Sequence, residues 1–368
     1  MVRGSLLKIK GGIMYRKIDE RDTILARIHY KKGTVMYDDY YKEHPEHLDT
    51  DEKLRSLGGV FDPGSKQYNP VDTKIAAANF DYLEEMQKYC NGPMAPDKII
   101  LDSKLATRKI KALAKHYGGN LVGIAKLEDN HFYSKRGRRA TSYNDEVNTN
   151  YKYGIVIAVK MDRKLMQAAP QISEAVETSN IYVKVGTIGM QLSYFIRNLG
   201  YEARNNMDGN YIINTPAVAV DAGLGELGRM GILVSKEYGP RVRLAVVTTN
   251  LPLIADSKES FGLKNFCMIC RQCAKACPGY AIPLKKYQSI NGVMGWQINQ
   301  EKCFEQWVIQ GTDCGVCLNA CPFFHNDCYK MTEVLAQPLK KQVEFIASHE
   351  NKIKKGSFVK DMPSWFNE

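Results

Sequence analysis

The pattern of apolar and polar positions changes character along the chain. Up to about residue 98 it is broken. Charges and tyrosines interrupt each apolar run, as in IHYKKGTVMYDDYYKEHPEH, and GGVFDPGSKQYNP is dense in turn formers. One segment there is regular: VDTKIAAANFDYLEEMQKYC places Ile75, Phe80, Leu83 and Met86 near helical spacing, which predicts an amphipathic helix ending beside a lone, structural Cys90. Residues 1–100 therefore read as a wrap or lid. From about 101 the rhythm alternates. DSKLATRKIKALAKHY predicts a helix stopped by Gly118 and Gly119, while NLVGIAKL and YGIVIAVKM predict buried strands. A long helix follows over roughly 170–199, with Val185, Ile188, Leu192, Phe195 and Leu199 along one stripe and Gly200 past its end. PAVAVDAGLGELGRMGILVS then leads into a strand in RVRLAVVTTNLPL. This alternation predicts an α/β (α+β) domain over 101–255. Residues 331–368 predict a polar helix interrupted by Pro338 and a tail carrying Trp365, a strap over the fold.

Between 256 and 330 the periodicity gives way to cysteine spacing. Eight of the chain's ten cysteines fall in two blocks between Cys267 and Pro322, and Cys328 lies outside the spacing. The first is Cys267-x-x-Cys270-x-x-Cys273-x-x-x-Cys277-Pro278. The second is Cys303, a longer gap, then Cys314-x-x-Cys317-x-x-x-Cys321-Pro322. This is the spacing of bacterial two-cluster ferredoxins, in which three close thiolates hold one cubane and the fourth crosses to the other. The crossing rule predicts one 4Fe-4S cluster on Cys267, Cys270, Cys273 and Cys321. The other falls on Cys277, Cys303, Cys314 and Cys317, and it is the one expected to face inward. Structural zinc is the alternative, although it more often uses two separated C-x-x-C pairs. The segment reads as an electron relay, and its endpoint must lie elsewhere.

Composition adds bounds. At 368 residues the chain suits two or three packed domains, and 44% hydrophobic with 25% charged residues is ordinary for a soluble globular protein. Clustered cysteines argue for metal ligation in a reducing compartment rather than for disulfides. No run of about 20 apolar residues appears, so no membrane span is predicted, and the chain is expected in the cytoplasm. Met14 is a possible alternative start. The net charge of +11 is scattered, with modest groups at 134–139 (SKRGRR) and 352–355 (KIKK), so a nucleic-acid stripe is not the expectation. A solvated basic surface is the plain reading, and a docking face for an acidic electron carrier is the sharper one.

Other motifs mostly exclude. Gly223-x-Gly225-x-x-Gly228 mimics a dinucleotide fingerprint, but no second strand ending in an acidic residue follows about 20 positions on. A glycine turn against some other large cofactor fits better, and Gly223, Gly225, Gly228 and the adjoining Arg229 are its candidate contacts. No histidine falls in a paired metal motif, and no D-x-H-x-x-G segment is present to ligate the lower face of a corrinoid cobalt. His325, just past Cys321, could touch a cluster, but a role at the surface or behind the ligands is the expectation.

Several runs together resemble the corrinoid iron–sulfur reductive dehalogenases: AVDAGLGELGRMGILVSKEYGPRVRLAVVTTNLPL, FGLKNFCMICRQCAKACP and CFEQWVIQGTDCGVCLNACPF, with YFIRNLGYEA upstream. YYKEHPEHLDTDEKLRSLGGVFDPGS fits more loosely. The resemblance is specific from about 180 to 325. It implies a nitroreductase-like corrinoid domain joined to the two-cluster segment, and cobalamin bound base-off without a histidine. It also implies electrons passing through both clusters to cobalt, which acts on a carbon–halogen bond. A tyrosine gives the proton, with a nearby cation easing its deprotonation. By position this is Tyr182, and the partner is Arg241 or Arg243. Respiratory members carry a twin-arginine signal, which is absent here; a cytosolic enzyme fed by a ferredoxin or flavodoxin and taking a small organohalide is the expectation. Epoxyqueuosine reductases, which modify tRNA with the same cofactors, are a more distant resemblance. A non-catalytic corrinoid or electron-transfer protein is the third reading.

Overall fold

A computed structural model describes residues 17–285, 287–290, 293–325, 328–354 and 364–366. The Met14 question and Lys355 of the basic tail group lie outside them.

The strands in chain order are β1 (Leu121–Lys126), β2 (Tyr153–Lys160), β3 (Ala203–Asn206), β4 (Glu226–Leu227), β5 (Leu233–Val234), β6 (Val242–Thr249), β7 (Gln288–Ile290) and β8 (Val293–Gly295). Four of them form the main sheet in the order β1-β2-β6-β3. Every pairing in it is antiparallel, with Ile157 opposite Ala245 and Val159 opposite Arg243. The fold is therefore α+β and contains no parallel β-α-β winding in this sheet.

Both faces of the sheet are covered, which explains why β2 reads as one unbroken apolar run. Successive strand residues point to opposite faces. Ile155, Ile157 and Val159 join Ala245 and Val247 under the helices Ser103–His116 and Ile172–Asn198. Val156, Ala158 and Val246 face the other way, against the helix Thr215–Asp221. The long helix Ile172–Asn198 buries Ile181, Val185, Ile188, Leu192 and Ile196 on the first face, at helical spacing. Each such buried aliphatic is worth roughly 1.5–3 kcal/mol. The helix stops at Gly200, whose positive φ of 80° ends the turn. A side chain there would also collide with the Asp97 carbonyl.

The periodic predictions reappear as observed elements: Asp72–Met86, Ser103–His116, β1, β2, the long helix and β6. The C-terminal helix breaks at Pro338 into Cys328–Ala336 and Leu339–Lys354. Strand β3 was not predicted. Its sequence, ARNN, is polar, and it is a strand because Asn205 and Asn206 bond into the core, Asn205 to the Gly186 carbonyl and Asn206 to the Val246 carbonyl.

The N-terminal residues wrap onto the helix Gln300–Gln310, which carries Cys303. Gln300 bonds Ile24 N and Asp22 O at 2.9 and 3.0 Å. The fully buried Arg27 pairs with Asp51 and with Glu301. Tyr30, Tyr40 and Tyr41 pack beside this arginine. Tyr40 and Tyr41 donate to Asp22 and Asp51, so the tyrosine-rich run is a core with satisfied hydroxyls.

Candidate active site and cluster ligands

Three polar residues interrupt the long helix on one face: Glu174, Thr178 and Tyr182, spaced four apart. They meet Arg243, which shares the sheet face of Ala245 and Val247 and so points at this helix from the start of β6. The Arg243 guanidinium donates to the Tyr182 hydroxyl at 3.2 Å and to Thr178 Oγ1 at 2.7 Å. It also pairs with Asp313 at 2.8 Å and lies 4.9 Å from the Tyr182 ring centroid. Arg241 points elsewhere, donating to the carbonyls of Phe324 and Met161 at 3.3 and 3.0 Å. Between the two candidates, the tyrosine's neighbour is Arg243.

The electrostatics follow from depth. Burial pushes the Tyr182 phenol above its ordinary value, and Arg243 pulls it back only in part. Tyr182 is thus a neutral phenol at physiological pH, beside a cation that would stabilise its phenolate. Burial opposes the Arg243 charge, but Tyr182, Asp313 and Glu174 more than offset this and raise its pKa. Glu174 is fully buried, and burial with the neighbouring Asp313 raises its carboxyl well above the usual range. Tyr182, Asp208, Tyr211 and Arg243 lie deep in the protein, yet each keeps part of its surface open. Burial raises Asp208 and Tyr211 as well.

Asp313 directly precedes Cys314, so the Tyr182–Arg243 pair touches the cysteine segment. Burial pushes Cys267 and Cys303 up to about 11, and Cys270, Cys273 and Cys314 up to about 12. Cys317 and Cys321 rise further. After burial, Cys321 is raised by Cys267, Cys270 and Cys273; Cys317 is raised by Cys273, Cys303, Cys314 and Cys277. Cys321 thus lies near three cysteines of the first block, and Cys317 near cysteines of both blocks. Among the described residues no three His, Cys, Asp or Glu side chains converge on a single-ion site. Buried thiols that resist ionisation suit a site whose bound cations supply the missing positive charge.

The glycine loop does not have the strand-to-helix geometry of a dinucleotide turn. It folds as the β4–β5 hairpin. A side chain at Gly225 would meet the Val234 carbonyl at 2.3 Å, and one at Gly223 the Ser257 carbonyl at 2.5 Å. Gly228 faces the Val234 side chain across the same hairpin. Glu226 accepts from the amides of Phe261 and Leu263, both at 3.0 Å. Arg229, 1% exposed, donates to the carbonyls of Cys267, Met268, Pro283 and Lys285 and lies 4.6 Å from the Trp296 ring centroid. The loop clamps the cysteine segment to the sheet half of the molecule. His325 is engaged by Asn319 O and Gln167.

Asp313, Thr178, Glu174, Asp208 and Tyr211 were not singled out by sequence reasoning. The four-residue spacing of Glu174 and Thr178 from Tyr182 on one helix face was an available signal; Asp313 and Asp208 leave none.

The molecule thus joins an antiparallel α+β body, a buried phenol–guanidinium pair and two blocks of four cysteines. Residues 266–325 match the family described as a 4Fe-4S dicluster domain. Beyond that segment, the chain is 32% identical over 251 residues to the tetrachloroethene reductive dehalogenase of Sulfurospirillum multivorans, covering 59% of this chain and 50% of that protein. Its structure matches that of the catabolic reductive dehalogenase NpRdhA with a TM-score of 0.76 at 21% identity, over 97% of this chain and 49% of that one. A complex of that enzyme with 3-bromo-4-hydroxybenzoic acid matches at 0.74 with 21% identity, over 96% and 48%. The epoxyqueuosine reductase of Lactococcus garvieae is 34% identical over 117 residues, 29% of this chain and 31% of that protein. The chain is thus similar to the reductive dehalogenases and, over a shorter stretch, to the epoxyqueuosine reductases. It spans about half the length of the dehalogenases it matches. Among the described residues no helix is long and apolar enough to cross a membrane.

Proposed function

We propose that the protein is a corrinoid- and iron–sulfur-dependent reductive dehalogenase that works in the cytoplasm on a small organohalide, with a ferredoxin or flavodoxin as electron donor. The observation that carries this reading is the Tyr182–Arg243 contact at 3.2 Å, tied to the second cysteine block through Asp313, the residue before Cys314. Bound cobalamin, held base-off without a histidine, would supply the cobalt that breaks the carbon–halogen bond, and two 4Fe-4S clusters would supply its electrons. Tyr182, Asp208, Tyr211 and Arg243, each deep yet partly open, are the side chains that would face that cofactor. Cys267, Cys270, Cys273 and Cys321 would hold one cluster, and Cys277, Cys303, Cys314 and Cys317 the inner one. The hairpin glycines and Arg229 would shape the cofactor space from behind, by fixing where the cysteine segment docks.

Tyr182 holds its proton at neutral pH because burial outweighs Arg243. It is therefore loaded as an acid before the reaction starts. When carbon gains negative character the phenol gives up that proton, and Arg243 stabilises the phenolate through an existing hydrogen bond. Thr178 and Asp313 fix the guanidinium in place.

The test is anaerobic assay of protein reconstituted with iron, sulfide and cobalamin against halogenated phenols, alkenes and aliphatics, with released halide measured. Tyr182→Phe should lower turnover by about 10²–10⁴-fold while leaving iron, corrinoid and the Co(II) signal unchanged. Undiminished turnover in that variant would remove Tyr182 from the mechanism. Deoxygenation of epoxyqueuosine in tRNA would move the assignment to the other relatives.

A further inference from the structure

The forty residues from 261 to 300 contain no Asp or Glu, yet they contain Lys264, Arg271, Lys275, Lys285 and Lys286. They also contain all four cysteines of the first block. Local charge of this kind is not a property of the whole surface, where basic side chains commonly sit beside carboxylates. Lys236 pairs with Glu259, and Lys258 with Asp221. Lys275 is neutralised in the same way by Glu350 at 3.1 Å. Among the described residues, Lys264, Arg271 and Lys285 are exposed and have no carboxylate partner.

The fold gathers these residues into one face. Arg229 donates to Cys267 O and Met268 O on one side and to Pro283 O and Lys285 O on the other. One buried guanidinium therefore fixes the 283–285 turn against the helix Leu263–Cys270. Arg271 folds back onto Met268 O at 3.3 Å. Apolar side chains are exposed within this group: Leu284 at 53% and Met268 at 37%, with Tyr280 at 79% beyond Cys277. Lys264 lies 4.1 Å from the Tyr287 ring centroid, which leaves its charge without a carboxylate. An apolar centre edged by cations that no carboxylate neutralises is the form of a transient interface with an acidic partner.

The face also lies at the correct end of the relay. Cys267, Cys270 and Cys273 are beneath it, whereas Cys314 follows Asp313 and lies beside Arg243 and Tyr182. We propose that the face formed by Lys264, Met268, Arg271, Leu284 and Lys285 docks a small acidic ferredoxin, which delivers one electron per encounter to the outer cluster. The donor's iron–sulfur centre is oxidised by one electron and the outer cluster is reduced by one. No bond forms or breaks, and two encounters supply a two-electron reduction. This inference rests on the reading that the first-block cysteines and Cys321 hold a cluster.

The experiment uses cluster-loaded full-length protein and a reduced acidic 2Fe-2S ferredoxin of the plant type, mixed anaerobically in a stopped-flow instrument. The expected result is a second-order rate that falls by about tenfold or more between low and high salt. Lys264→Glu with Lys285→Glu should lower the low-salt rate by a further factor of about ten or more. The corresponding Gln pair should fall between, and Lys31→Glu with Lys32→Glu, also exposed but on the N-terminal wrap, should match the wild type. Surface plasmon resonance with oxidised ferredoxin should show the same ranking for binding, without any turnover. Photoreduced deazaflavin, which needs no protein docking face, should reduce every variant equally. Normal deazaflavin reduction with a ferredoxin rate insensitive to salt and to both charge variants overturns the docking proposal. Failure to load or reduce the outer cluster at all overturns the cluster reading instead. If the Glu pair loses binding of a tRNA anticodon stem-loop but keeps its ferredoxin rate, the face belongs to RNA and the proposal falls.

Discussion

Arg243 holds a buried negative centre together, and removing it should reveal how large that burden is. Its guanidinium serves Tyr182, Thr178 and Asp313 at 3.2, 2.7 and 2.8 Å. The Arg243 and Asp313 side chains are only 17% and 18% exposed. Arg243→Met keeps most of the apolar volume but leaves the Asp313 carboxylate without its cation, next to a Glu174 that cannot take up charge. Breaking a pair of this kind by deleting one partner costs about 3–5 kcal/mol. For 368 residues unfolding together, the usual entropy per residue converts that into a loss of about 4–6 °C in Tm. Asp313→Asn in the Arg243→Met background should recover part of the loss, because the orphaned charge is then gone. The four proteins form a cycle whose coupling should be about 2–3 kcal/mol. Thermal unfolding under anaerobic conditions, at matched iron content, measures it. If the two substitutions add within about 0.5 kcal/mol, the Arg243–Asp313 contact is not an energetic unit and the argument fails.

Other perturbations address other parts of the molecule. Arg229→Ala orphans the carbonyls of Cys267, Met268, Pro283 and Lys285, so iron analysis should show a fall from about eight irons per chain toward about four, the content of one remaining cubane; a full load would show that the clamp is dispensable. Cys321→Ser and Cys303→Ser should each remove a different cluster, and electron paramagnetic resonance of the reduced variants should give two distinct residual signals; the same residual signal from both would refute the crossed assignment. The His131 contact at 3.0 Å, with Lys258, lowers the Asp221 carboxyl to about 2. A depressed carboxylate contributes stability above its unfolded pKa of about 3.9, and the contribution is lost as pH falls through about 2. Asp221→Asn should therefore cost under about 1 kcal/mol near pH 7, Asp221 being more than a third exposed, and the difference from wild type should close in acid; a penalty that persists at the lowest pH would point to packing instead.

The elements that periodicity could specify were legible from the sequence. A two-sided apolar run such as YGIVIAVK has few places to go except a covered strand, and Val185, Ile188 and Leu192 repeat at the spacing of one helix face. The cysteines were legible for a different reason: metal ligation fixes local spacing along the chain, so both blocks identify their chemistry before any folding is known. The resemblance added Tyr182, but it left Arg241 and Arg243 equal. Only the tertiary structure separated them, because β6 turns Arg243 toward the long helix while Arg241, just outside the strand, reaches the carbonyls of Met161 and Phe324.

The glycine loop shows the same limit from the other side. Its spacing suggested a cofactor turn, yet Gly223 and Gly225 face carbonyls of Ser257 and Val234 that are remote in sequence or brought close by the hairpin. Strand β3 has no apolar alternation to read, because the bonds that satisfy Asn205 and Asn206 come from Gly186 and Val246. Local spacing alone determined the helices, the buried strands and the cysteine blocks. Contacts between distant segments decided which arginine meets the tyrosine, that Asp313 joins them, and that Arg229 clamps the cysteine segment, since burial and pairing energies depend on neighbours that a linear pattern does not contain.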